Sequence, residues 1–223
     1  MSPTLAVRVR LAAAADLDAL GPACTAAFVD EAVLCWVLPD PAERAARTPA
    51  MFQAMLDVAV RDEQITVAEL PDGTLAGVSA WIAPGATAAG ADPAAQPAQV
   101  SPTDDPVARR LATVAETVAA HRPREPHLYL ASMGVRPERR GHGLGGAMLS
   151  HRLREADAAG LPAYLEASTE RSRRLYLRHG FHDHGRPLAL PDGAPVLRPM
   201  WRPGANPARR DPIAPTARPQ VRT

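Results

Sequence analysis

Val135-Arg136-Pro137-Glu138-Arg139-Arg140-Gly141-His142-Gly143-Leu144-Gly145-Gly146 is a glycine-rich turn between two readable elements. Before it runs Leu-Tyr-Leu-Ala-Ser-Met-Gly-Val, residues 128–135, dense in strand formers and loosely alternating. After it, Met148, Leu149, Leu153 and Ala156 recur at helical spacing, while Arg152, Arg154, Glu155 and Asp157 fall on the other side. The amides of a helix's first turn have no intrahelical carbonyl to bond. Glycines at 141, 143, 145 and 146 put no side chain in the way of a phosphate reaching those amides, so the turn is an anion site of the kind that takes a pyrophosphate.

Two glycine patterns overlap here. Gly141, Gly143 and Gly146 satisfy G-x-G-x-x-G, with Glu166 about 20 residues further on, as a dinucleotide site requires. Such a site places its first glycine directly at the strand end, whereas Arg136 to Arg140 intervene, and the chain becomes proline-rich before further strand-helix units could follow. A Walker-type loop is excluded, because no Lys-Ser or Lys-Thr follows the glycines. The second pattern is V-x-P-x-x-R-x-x-G-x-G, met by Val135, Pro137, Arg140, Gly143 and Gly145. Downstream come a second strand, Ala-Tyr-Leu-Glu-Ala-Ser-Thr at 163–169, and a short helix ending in Tyr176-Leu177-Arg178-His179-Gly180-Phe181. The glycine pattern and the Y-x-x-x-G-F ending resemble the two hallmarks of the GNAT superfamily of N-acetyltransferases. A closer likeness, to an antibiotic-inactivating member, runs through residues 121–126 (HRPREP), 159–168 (AGLPAYLEAS) and 202–205 (RPGA), and more faintly through Ala27 to Asp30 and Ala80-Trp81.

The resemblance implies an α/β fold with a mixed, mostly antiparallel central sheet, helices on both faces, and central strands (128–135 and 163–169) that splay to admit a pantetheine arm. It implies acetyl-CoA as cosubstrate, held by Met133, Gly134, Val135, Arg140, Gly141, His142, Gly143, Leu144, Gly145 and Gly146. Backbone N–H groups around Met133 to Val135 would face the thioester oxygen as oxyanion donors. Ser172 stands where many relatives carry an asparagine that reaches the pantetheine arm.

Composition bounds the alternatives. With 223 residues and 46% hydrophobic content, the chain can bury one core, and we expect a single domain over residues 1–203 with a disordered Pro/Arg-rich tail at 204–223. All 25 basic residues are arginines, yet the net charge is +1, which gives no footprint for nucleic acid. Cys24 and Cys35 form no C-x-x-C pair and are too few for a disulfide framework, which fits a cytoplasmic location. No leader pattern and no membrane-length apolar run is read, so no membrane partner is expected, and nothing signals an oligomeric state.

Elsewhere, Val7 to Leu11 alternates as a strand. Residues 16–28 read as a helix capped by Asp16, with Gly21-Pro22 expected to bend or split it. Residues 42–60 form a longer helix, and 64–70 with 75–82 a hairpin about Pro71-Asp72-Gly73. Residues 83–106 read as a surface loop, 106–120 as a helix, and 194–201 as a closing strand paired about Pro191-Asp192-Gly193.

Acetyl transfer to an amine needs a neutral nucleophile, a polarised carbonyl and a proton for the leaving thiolate. Glu166, the one carboxylate within the two central strands, is the candidate base: its apolar neighbours disfavour ionisation and raise proton affinity. A strand-end carboxylate paired with an arginine is the structural alternative. Tyr176 is the candidate acid, with packing beside Phe181 as its alternative. Arg140, and Arg139 unless it is solvated, would add positive charge to the cradle, whereas Arg173 and Arg174 either meet the nucleotide end or, as preferred, form an exposed helix face. His142 reads as a surface residue. His179, His182 and His184 lack a cysteine or carboxylate cluster to complete a metal site, so no metal is expected. Phe28, Asp30, Trp36 and Trp81 are candidate contacts for a small-molecule amine, through stacking and attraction of its ammonium, or else core residues. The competing functions are a non-catalytic acyl-CoA sensor and a protein or peptide N-acetyltransferase.

Overall fold

A computed structural model describes residues 6–85 and 105–205. Most of the 83–106 loop and nearly all of the 204–223 tail lie outside those residues. Seven strands form one sheet in the order β1-β2-β3-β4-β5-β7-β6: β1 (Arg8–Leu11), β2 (Ile65–Glu69), β3 (Leu75–Ile82), β4 (Leu128–Val135), β5 (Ala163–Ala167), β6 (His182–Asp183) and β7 (Arg198–Arg202). Every neighbouring pair is antiparallel except β4 and β5. The sheet is therefore mixed and mostly antiparallel, as expected.

Helices cover both faces. On one, α1 (Leu17–Ala27) and α3 (Pro41–Arg61) put Leu20, Ala23, Cys24, Leu56 and Ala59 into a core with Val67, Val78, Tyr129 and Tyr164, and α2 (Ala32–Val37) and α4 (Pro106–His121) flank it. On the other, α5 (Leu144–Ala158) and α6 (Glu170–Arg178) bury Leu149, Leu153, Ala156 and Tyr176 against Trp81, Leu130, Leu165 and Met200. β3 is buried along its whole length because both its faces are covered, which is why its sequence reads as an apolar run. Among the described residues no helix is long and apolar enough to cross a membrane.

The central parallel pair is short. Only Leu128, Tyr129 and Leu130 of β4 pair with β5, opposite Ala163, Tyr164 and Leu165. At that point the β3–β4 register shifts: Ala80 faces Ser132 but Trp81 faces Leu130, leaving Ala131 as an inserted bulge residue. Exposure follows the parting, since Leu128 to Leu130 are buried and every β4 residue from Ala131 onward is half-buried. The bulge also reverses the facing of side chains. Tyr129 lies on the α1 face, and beyond the bulge Ser132 and Gly134 do too, while Met133 and Val135 pack toward α5.

Two expectations are corrected. Gly21-Pro22 does not split the first helix, which runs unbroken through Pro22; Asp16 instead accepts from Ala13 N at 2.7 Å in a preceding 3-10 turn and pairs with Arg10. The turn at Pro191-Asp192-Gly193 exists, with Ala194 N donating to Pro191 O at 3.1 Å, but β7 begins only at Arg198, and a lone Leu188–Leu197 bridge joins the long arms. A turn signal is local, whereas strand pairing is set by the neighbouring strand.

The chain closes on a close backbone approach. A Cβ on Gly204 would sit 2.2 Å from the carbonyl oxygen of Gly160, after the C-terminus of α5. Gly204→Ala must push these segments apart, costing about 1–3 kcal/mol, so thermal melts should show Tm lowered by about 2–12 °C. An unchanged Tm would contradict this contact.

Candidate functional site

Where β4 and β5 part, three sets of residues border the opening. The first is the glycine loop. The helical ladder of α5 starts with Ala147 N donating to Gly143 O at 2.9 Å, so the amides of Leu144, Gly145 and Gly146 lie ahead of the first helical bond. Gly141 and Gly143 both adopt φ +82°, and a side chain at either would point into open space. Left-handed backbone at Gly143 turns the loop into the helix, a conformation costly for residues with a Cβ. Leu144, 2% exposed, anchors the helix start in the core. Gly145 and Gly146 have another use than the one read from sequence. Their missing Cβ atoms make room for Leu175 and His179 of α6, at 3.2 Å each, so their smallness serves helix packing while their amides still face the loop's mouth. His142 sits exposed, its Nδ1 3.0 Å from Arg140 O.

The second set lines the gap on β4. Arg136 N donates to Ala76 O at 2.9 Å on β3. Amides alternate between the two edges of a strand, so those of Val135 and Met133 point to the other edge, from which β5 has withdrawn. Gly134 lets α1 come close, because a Cβ there would lie 3.0 Å from Ala27 O and 3.1 Å from the Phe28 ring.

The third set carries titratable groups. On the α1 face, Glu166 is the first β5 residue past the last β4 pair, and its Oε2 accepts from Tyr129 OH at 2.8 Å. Tyr129 stacks on Tyr164 at 6.0 Å, and the Arg122 guanidinium lies 3.9 Å above the Tyr129 ring. Burial, and then the charge of Glu166, push the Tyr164 phenol up. On the α6 face, Tyr176 is 6% exposed, edge-on to Phe181 at 6.0 Å. The Y-x-x-x-G-F spacing has a physical cause. Gly180 takes φ +84°, Gly180 N donates to Leu177 O, and Phe181 N returns to Tyr176 O at 3.2 Å, a helix terminus that brings Phe181 back onto Tyr176. Burial, then the charge of Glu31, hold the Tyr176 phenol well above its ordinary value.

Several expected site residues are committed elsewhere. Arg140 does not extend toward the loop's mouth: its guanidinium grips both oxygens of Asp30 at 2.5 and 2.6 Å, and its Nε donates to Val135 O. Asp30 is thereby neutralised, its carboxyl held below the usual range by that bond. Ser172 turns back into a capping box, donating to Thr169 O at 2.9 Å while its own N–H bonds Thr169 Oγ1. Trp81 is corrected: it is fully buried on the α5–α6 face with Nε1 donating to Ser79 Oγ at 3.0 Å, so it packs the core and cannot touch an acceptor. Phe28 is nearly buried, 5.3 Å from Phe52. Trp36 donates to Asp192 O at 3.3 Å and lies under Arg110, joining α2 to the turn before β7. Arg173 pairs with Asp183 and Arg174 is exposed.

Sequence reasoning missed Tyr129, Glu31 and Ser168. Ser168 Oγ donates to Glu31 Oε1 at 2.9 Å, tying the turn between α1 and α2 to the end of β5. Tyr129 could have been found from strand alternation, but only with the bulge known; Glu31 and Ser168 carry no spacing signal. Among the described residues no group of three or more His, Cys, Asp or Glu side chains gathers as a metal site.

Residues 91–181 match the acetyltransferase (GNAT) family. In fold the chain is similar to a Corynebacterium glutamicum protein whose crystal structure is described as histone acetyltransferase HPA2 and related acetyltransferase, with 25% identity over 91% of this chain and 99% of that one and a TM-score of 0.63. It is also similar to the Drosophila melanogaster polyamine N-acetyltransferase (16% identity, 89% and 100% covered, TM-score 0.63). A mosquito protein described as arylalkylamine N-acetyltransferase like 5b shares the fold at 15% identity, with 89% and 100% covered and a TM-score of 0.60.

The loop's open side makes a direct test. Gly143→Val adds backbone strain and fills the space a phosphate would enter, so calorimetry should show CoA affinity falling at least about tenfold, the equivalent of ~1.4 kcal/mol. Unchanged affinity would refute the cradle.

Proposed function

Taking the chain as a GNAT-superfamily acetyltransferase, we propose that it moves an acetyl group from acetyl-CoA to the primary amine of a small molecule. The observation that carries the reading is the gap after Leu130 and Leu165, with a carboxylate on one face and a buried phenol on the other. The residues fit coenzyme A: the amides of Leu144 to Gly146, next to two left-handed glycines, cradle its diphosphate, and the gap takes the arm.

Chemistry follows from the two faces. The amine approaches from the side of α1, where Glu166 accepts its proton directly or through a water. The amine nitrogen then attacks the thioester carbon, and the amides of Met133 and Val135, aimed into the gap, stabilise the oxygen as it becomes negative. Collapse breaks the C–S bond and forms the amide, whose nitrogen releases its second proton to water. Tyr176, on the opposite face, gives its proton to the departing sulfur and is reprotonated from solvent. A phenol held protonated by burial keeps that proton through the neutral range, so Tyr176 serves as donor and not as base.

For the acceptor, the likeness to puromycin N-acetyltransferase through residues 121–126, 159–168 and 202–205 makes an aminonucleoside antibiotic of that type the first to try. The loop of that enzyme reads Gln-Gly-Lys-Gly where this chain has Arg140-Gly141-His142-Gly143, so the likeness is weaker on the cofactor side. The other proteins of similar fold are named for polyamines and arylalkylamines, and both classes belong in the same screen.

Thiol release from acetyl-CoA, followed across puromycin, spermidine, tyramine and a peptide with a free N-terminus, tests the reading. We expect turnover of at least one of the three small amines. Glu166→Gln and Tyr176→Phe should each lower kcat more than about tenfold with CoA affinity unchanged. Silence across the panel favours a non-turning acyl-CoA sensor, and wild-type rates in both variants would remove these two side chains from the mechanism.

A further inference from the structure

The turn between α1 and α2 presents two adjacent carboxylates with opposite fates. Asp30 is taken up by Arg140 through both oxygens. Glu31 is held only by neutral donors: Ser168 Oγ at 2.9 Å on Oε1 and Leu34 N at 2.8 Å on Oε2. Among the described residues, no Lys, Arg or His lies within ion-pair distance of it. Its side chain is half-buried, and its partner Ser168 lies directly after β5, two residues beyond Glu166 and past the point where the strands part. Burial first, and then the charge of Glu31, hold the Tyr176 phenol up.

A carboxylate fixed by two hydrogen bonds yet lacking a cation is unusual beside an opening that must receive an amine. The two bonds orient both oxygens without neutralising the charge. They also occupy one lone pair on each oxygen and leave the others available. A surface carboxylate that only capped α2 would need the bond to Leu34 alone; the second bond, across 137 positions of sequence, ties it to the end of β5.

Resting on the transferase reading above, we propose that Glu31 is the acceptor-binding carboxylate: it receives the ammonium of the incoming amine at the α1-side entrance of the gap, with Ser168 holding it in place. The acceptors it selects are primary amines that are protonated at neutral pH. Neutral arylamines gain nothing from it. Asp30, one residue earlier, has a structural task, since its pair with Arg140 ties the α1–α2 turn to the glycine loop. Glu166 lies deeper, on β5 itself, and takes the proton after Glu31 has placed the nitrogen.

Glu31→Gln tests this, because the amide keeps the shape and can still accept from Leu34 N. Binding of puromycin and spermidine is measured by calorimetry on protein saturated with CoA, so that no turnover intervenes, and KM and kcat are measured separately with acetyl-CoA. The expected result is a Kd and KM for the amine raised at least tenfold, kcat within about threefold, and CoA affinity unchanged. Ser168→Ala, which leaves the carboxylate but frees it, should give a smaller rise in the same direction. The proposal is overturned if Glu31→Gln binds both amines as wild type does, if CoA affinity falls in parallel, or if the wild-type protein binds neither amine. Wild-type protein that binds an amine through Glu31 but never acetylates one would refute the transferase reading and leave the Glu31 assignment standing.

Discussion

The site depends on β4 and β5 pairing for only three residues. A continuous parallel ladder would leave no opening and would satisfy every amide of β4. The inserted residue at Ala131 ends the pairing on one edge while β3 keeps the other edge bonded, so β4 stays a rigid strand after it has lost β5. Three consequences follow from this single irregularity: amides at Met133 and Val135 aimed into a gap, half-exposed backbone in the middle of a sheet, and a reversal of facing that puts Tyr129, Ser132 and Gly134 together on the α1 face. Bulges bend and re-aim strands next to functional sites for this reason.

Around that gap, the packing divides labour between the faces. The α5–α6 face is close-packed by small residues, with Gly145 and Gly146 fitted against Leu175 and His179, and it carries the buried phenol. The α1 face carries charge: the Asp30–Arg140 pair, Glu31 with Ser168, and Glu166 with Tyr129. An acyl donor entering on one side and a cationic acceptor on the other would meet in the gap without crossing paths. Neutralising Asp30 with Arg140 has a further effect, since it leaves a single uncompensated carboxylate on the turn and so gives an approaching ammonium one place to go.

Much of this was legible before any coordinates. The 128–135 strand has the bounds its sequence predicts, and the glycine turn leads into a helix where the apolar spacing places one, because apolar runs and glycines are local signals with direct backbone meaning. The Y-x-x-x-G-F run placed Tyr176 and Phe181 together for the same reason. What sequence did not settle was the placing of individual side chains that depends on tertiary choice. Trp81 looked available because β3 is covered on both faces and gives no alternation to say which side a residue takes. Asp30 and Glu31 are neighbours of like chemistry, and only the fold decides which of them meets Arg140. The bulge at Ala131 has no sequence mark, so Tyr129 could not be placed beside Glu166. Ser172 sits three residues after Thr169, and that i, i+3 spacing is the local capping signal it obeys.

Amide hydrogen exchange with and without CoA reads the backbone groups of the cradle and the gap themselves. CoA should slow exchange at Leu144, Gly145 and Gly146, and at Met133 and Val135 in the gap. Protection confined to other parts of the chain, or absent at saturating CoA, would contradict this placing of the cofactor.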